Sequence, residues 1–90
     1  MMLKIKYSSK IKKDIRICRK RGYDFSLLEK VLETLMIPEP LDSKNRDHRL
    51  SGNYSGFREC HIAPDWLLIY RQTEEYLELS RTGTHSDLFR

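Results

Sequence analysis

Two cysteines, without CxxC spacing or neighbouring ligands, give this 90-residue chain neither a disulfide framework nor a zinc site. Long apolar runs are missing as well. The start, Met1-Met2-Leu3-Lys4-Ile5-Lys6-Tyr7, gathers charge before any hydrophobic stretch develops, and mean hydropathy is −0.65, which excludes a signal peptide and a spanning helix. There is no internal repeat and no low-complexity segment. Ninety residues suit a single domain, 1–90, too small for a multidomain enzyme, a repeat array or a Rossmann-type cofactor fold. The expectation is a soluble protein of the reducing cytoplasm with no membrane partner.

Acid is scarce at the start of the chain. From Lys4 to Arg21 the bases Lys4, Lys6, Lys10, Lys12, Lys13, Arg16, Arg19, Lys20 and Arg21 meet a single acid, Asp14. Past Leu50 the balance reverses, so the net charge of +4 belongs to the amino-terminal half. A one-sided positive field favours a polyanionic partner such as RNA, DNA or an anionic membrane. A solvated helix face explains the cluster about as well on its own.

Leu3 to Tyr7 alternates apolar and basic residues, the period of a half-buried strand. Ile11, Ile15 and Cys18 then share one helical stripe, which predicts a helix from about Ser9 to Arg21, stopped by Gly22. Asp24 caps a second helix. Its apolar positions Leu28, Val31, Leu32 and Leu35 recur until Ile37-Pro38-Glu39-Pro40 ends it. Leu41 to Ser55 is polar and reads as a long surface loop, the kind that is usually functional or disordered. Three strand-like runs follow, Phe57 to Ile62, Trp66 to Gln72 and Tyr76 to Arg81, joined by turns short enough for an antiparallel meander. The middle run is apolar from Trp66 to Tyr70 and so reads as central. The predicted fold class is α+β, an N-terminal strand and helical hairpin packed on a twisted, mainly antiparallel sheet.

All three histidines, His48, His61 and His85, fall in the carboxy-terminal half. Meander geometry brings the end of the first run, the start of the second and the end of the third to one rim, which gathers His61, Asp65, Arg81 and His85; the long loop lets His48 reach it. Such a rim suits two chemistries. One is ligation of zinc or iron by imidazole and carboxylate. The other is metal-free RNA cleavage, in which two imidazoles exchange protons with the 2′-hydroxyl and the leaving oxygen while a guanidinium clamps the phosphate. Asp65 would orient an imidazole in that case, although a turn-capping role beside Pro64 explains it as well. Tyr54, Trp66, Tyr70 and Phe89 could stack bases, with core packing the ordinary alternative for Trp66 and Tyr70 and docking on the sheet an equal alternative for Phe89. Strict alternation also places Arg81 with Leu77 and Leu79 on the core face and His61 on the other, so either the third run twists or bulges near Ser80 or Arg81 lies beyond the covered part of the sheet.

Three segments, Asp47 to Gly52, Gly56 to Tyr70 and Arg81 to Phe89, resemble the YafQ branch of the RelE/ParE toxin superfamily, bacterial toxins of type II toxin–antitoxin pairs. The amino-terminal half matches that branch in layout more than in residues. The resemblance implies a RelE-like fold and an mRNA interferase, an endoribonuclease that cuts message in the ribosomal A site without a metal or other cofactor and is held inactive by a cognate antitoxin. Carried over by position, the site would be His48, His61, Asp65, Arg81, His85 and Phe89, with Lys10, Lys12, Lys13, Arg16, Arg19 and Lys20 gripping ribosomal RNA. The chain departs from RelE itself, whose site is built more from Lys, Arg and Tyr. A ParE-like toxin that poisons DNA gyrase without catalysis is the competing class, and a nucleic-acid-binding domain with incidental histidines is the third.

Overall fold

The computed structural model describes residues 2–89; Met1 and Arg90 lie outside them. Strand β1 (Lys4–Tyr7) leads into helix α1 (Ser9–Lys20), whose N-cap Ser8 accepts from the Ile11 N–H. Gly22, at φ 77°, takes the left-handed backbone that turns the chain after α1. Asp24 caps helix α2 (Phe25–Met36) through the Ser26 N–H. Both helices therefore fall where periodicity placed them, and Asp24 caps the second as expected.

The long loop is more ordered than its polar composition suggests. It contains a 3₁₀ turn (Ser43–Asn45), a two-residue strand β2 (His48–Arg49) and a second 3₁₀ turn (Gly52–Tyr54). Buried Asn45 ties the first turn to the sheet by donating to the His61 carbonyl at 2.7 Å. Strands β3 (Arg58–Ala63), β4 (Trp66–Gln72) and β5 (Tyr76–Gly83) form the expected meander, and a short helix α3 (His85–Leu88) ends it. Neither β2 nor α3 is visible in the hydrophobic pattern.

The sheet order is β1-β5-β4-β3-β2, with β1 parallel to β5 and every other pair antiparallel. Central β4 is covered on both faces, as its unbroken apolar run requires. On one face, α1 and α2 bury Ile11, Cys18, Leu28, Val31 and Leu35 against Cys60, Trp66, Leu68, Tyr70, Leu77 and Leu79. Trp66 and Tyr70 are only 3% and 1% exposed, so both belong to this core and neither stacks a base. The other face carries a smaller cluster of Leu67, Ile69 and Leu88, bordered by Leu50, Tyr54 and Phe57. Both cysteines are buried and free. Among the described residues no helix is long and apolar enough to cross a membrane.

A β-bulge settles where Arg81 points. Ile69 pairs with Arg81 but Tyr70 pairs with Leu79, so Ser80 is an extra residue on β5. The slip moves Arg81 off the face of Leu77 and Leu79 and onto that of Leu67 and Ile69. His61, opposite Leu67, is on this same face.

Candidate active site

The register builds the site row by row. His48, Glu59, Ile69 and Arg81 stand side by side across β2, β3, β4 and β5, and the next row holds His61, Leu67 and Gly83. Directly paired residues share a sheet face. The face away from the helical hairpin therefore carries two histidines, a glutamate and an arginine.

Helix α3 adds the third histidine. Leu88 docks on Leu67 and Ile69, while Thr84 and Asp87 form a reciprocal capping box at its start. Asp87 also takes a two-pronged ion pair from Arg21, at 2.7 and 3.1 Å, which ties α3 to the end of α1. Gly83 is required here, because a Cβ at this position would come within 2.8 Å of Asp87 Oδ2. The Arg21 guanidinium, followed by the Thr84 N–H, holds the Asp87 carboxyl well below the usual carboxylate range. A depressed folded value means that this anchorage is complete above about pH 4 and is lost as pH falls further. Amide-exchange protection of Leu88 and Phe89 is expected to drop below about pH 4, and in Arg21→Ala to start lower at neutral pH and to fall by less. Protection unchanged down to about pH 2 would contradict the anchorage.

The three imidazoles are held in a common way. His48 Nδ1 lies 2.8 Å from the Arg46 carbonyl, His61 Nδ1 lies 3.3 Å from the Pro64 carbonyl, and His85 Nδ1 lies 3.2 Å from Asp65 Oδ1. A carbonyl can only accept, and so can an ionised carboxylate, so hydrogen-bond partners assign the proton to Nδ1 in each ring. Nε2 is the ring nitrogen left to face the site. The His85 backbone N–H and then its ring hold the Asp65 carboxyl below its ordinary range, which keeps it an acceptor at neutral pH.

Glu59 was not singled out from the sequence. Its side chain is 5% exposed and lies between two rings, with Oε1 3.5 Å from His48 Nε2 and 3.9 Å from His61 Nε2. A buried carboxylate demands a positive partner, and an imidazolium formed on either ring would supply it. The signal was there, since Glu59 is two residues before His61 on one strand. Glu59→Gln is expected to lower any proton-transfer activity of the site about ten- to a hundredfold. Removing a buried charge should leave the melting temperature unchanged or raise it, so activity and stability move apart. Loss of both together would make Glu59 a folding residue.

The rest of the expected set gathers here. The His61 and His85 rings are 5.8 Å apart, His85 and Phe89 are 6.3 Å apart, and Tyr54 meets Phe89 edge-on at 6.0 Å. Phe89 remains 43% exposed because Leu88, not Phe89, docks on the sheet. Tyr54 is also a neighbour of Arg81, whose guanidinium is held in its charged form chiefly by Asp14. The six basic residues Lys10, Lys12, Lys13, Arg16, Arg19 and Lys20 are all exposed along α1, with Arg19 stacked on Phe25 at 4.4 Å. One atom each from Glu59, His61 and His85 lies within 4.8 Å of the others, a spacing that could also hold a transition-metal ion. The carboxylate of that group is Glu59, whereas the sequence had pointed to Asp65.

One sheet face thus packs on the helical hairpin, and the other carries the histidines, Glu59 and Arg81 beside a smaller apolar cluster. A family profile described as the bacterial toxin of type II toxin–antitoxin systems, YafQ, matches residues 3–90, and the chain belongs to that family. It is 44% identical over 87 residues to the mRNA interferase toxin YafQ of Escherichia coli K12, covering 94% of each chain. The toxin in the crystal structure of the E. coli DinJ-YafQ toxin-antitoxin complex superposes with a TM-score of 0.90 at 37% identity, over 100% of both chains. A metal-bound toxin from Helicobacter pylori superposes at 0.91 and 47% identity, over 98% of this chain and 100% of that one.

Proposed function

We propose that this protein is an mRNA interferase, a cytoplasmic endoribonuclease toxin that cleaves message on the ribosome and is restrained by a cognate antitoxin. The observation that carries this reading is the shared anchoring of three imidazoles through Nδ1, which leaves three Nε2 atoms to exchange protons on one sheet face, two of them beside the Glu59 carboxylate. The name of the E. coli relative supports the activity, and the DinJ-YafQ complex supports an antitoxin partner.

In the proposed reaction one Nε2, on His48 or His61, takes the proton of the 2′-hydroxyl. The 2′-oxygen attacks phosphorus, the bond from phosphorus to the 5′-oxygen breaks, and protonated His85 gives that oxygen its proton. Glu59 stabilises the imidazolium that forms and Arg81 the charge that grows on phosphate. Phe89 offers a face to a base beside the scissile bond. The exposed bases of α1 supply the electrostatic grip on ribosomal RNA.

The metal-bound relative and the Glu59, His61, His85 group favour a second reading, a metal-dependent nuclease at the same atoms. The two differ in products. Acid–base attack by the 2′-oxygen leaves a 2′,3′-cyclic phosphate or 3′-phosphate and a 5′-hydroxyl, and survives a zinc- and copper-selective chelator that spares ribosomal magnesium. Metal-activated water would leave a 5′-phosphate and be silenced by that chelator. The first outcome is expected.

A further inference from the structure

We infer that Asp14 is a positioning residue for the reaction, fixing the Arg81 guanidinium in the orientation that receives the phosphate. This rests on the role of Arg81 proposed above. Asp14 is the lone acid among the bases from Lys4 to Arg21, and it is buried, 8% exposed, on the inward side of α1. Its Oδ2 accepts from Arg81 Nε at 2.7 Å and its Oδ1 from Arg81 Nη2 at 3.1 Å; Oδ2 also accepts from the Thr82 N–H at 3.2 Å. The carboxylate thus locks both the plane of the guanidinium and the backbone that follows it.

The geometry is that of a donor being aimed. A guanidinium has five N–H groups, and two are committed to Asp14. The guanidinium also neighbours Tyr54, which borders Phe89. Arg81 therefore bridges from α1 to the face that carries the histidines. The pair also opens onto a cleft of about 280 Å³ between α1 and α3, so the arginine is reachable by a ligand. A partly buried ion pair is a weak source of stability compared with apolar packing, so folding alone gives little reason for an acid at a position on the apolar stripe of α1. The helix whose outer face is basic thus carries on its inner face the group that holds the phosphate-binding arginine.

Asp14→Asn tests this, because it keeps an oxygen for the Thr82 N–H and removes the charge that holds Arg81. Cleavage of a programmed ribosome's message would be followed in single turnover with wild type, Asp14→Asn, Arg81→Gln and the double variant, alongside thermal melts. The expected result is a rate constant at saturating toxin about tenfold or more lower for Asp14→Asn, with half-saturation within about twofold and melting within a few degrees. The double variant should be no slower than Arg81→Gln alone, since Asp14 acts through Arg81. If Asp14→Asn cleaves like wild type, or slows Arg81→Gln by the same factor, the positioning role is wrong. If Asp14→Asn melts much lower, the Arg81 Nε–H resonance decides: protection from exchange in wild type and its loss in a folded Asp14→Glu variant that cleaves slowly supports the role, and full cleavage by Asp14→Glu without that protection overturns it. Absence of cleavage by wild type itself would instead sink the ribonuclease assignment, and this inference with it.

Discussion

Replacing His85 with glutamine is expected to reduce cleavage by about 10²–10⁴-fold, the range for losing a general acid or base. The fold should survive. The His85 side chain is 58% exposed and, among the described residues, its ring hydrogen-bonds only to exposed Asp65, while the backbone N–H that also reaches Asp65 is kept in the variant. A substitution this exposed moves stability by about half a kcal/mol or less, a few degrees in a domain of this size. Glutamine retains a polar tip but cannot gain and lose a proton near neutrality. Measured turnover within threefold of wild type would remove His85 from the chemistry, whatever the products are.

Arg81→Gln should cost about 10²–10³-fold in turnover, the range measured when a donor to developing negative charge is deleted. Stability should fall too, because Asp14 would remain buried with the Thr82 N–H as its surviving partner. Melting curves are therefore needed beside the kinetics, and assays belong well below the transition. Arg81→Lys separates charge from shape: it keeps a cation but cannot fork across the Asp14 carboxylate. Activity intermediate between wild type and Arg81→Gln is expected. Full activity in Arg81→Lys would mean that charge suffices and that orientation by Asp14 contributes little.

The legible parts of the fold are those written in local chemistry. Ser8, Asp24 and Gly22 punctuate α1 and α2, and an unbroken apolar run marks β4 as central. The histidine rim was legible for the same reason, since meander topology alone brings His61, Asp65 and His85 together. The hidden parts depend on distant partners. α3 is four residues long and is held by Leu88 on the sheet and by Arg21, 66 positions away from Asp87. β2 has two residues and exists only as a partner of β3. Alternation flagged the conflict between Arg81 and His61, but the choice of Ser80 as the bulged residue requires the register. Glu59 and Asp14 were present as signals, one on the strand of a histidine and the other an acid on an apolar stripe, and their meaning appears only with the groups they face.

The central claim is cleavage of message during translation by this sheet face. It is tested most directly by primer-extension mapping of a reporter message in a bacterial cell-free translation reaction, with antitoxin-free protein or its His85→Gln variant, on translated and untranslated RNA. New 3′ ends within codons, present only with the wild-type protein and only while ribosomes translate, are the predicted result. No new ends with folded, antitoxin-free protein would contradict the claim, and DNA gyrase inhibition would then be the activity to assay.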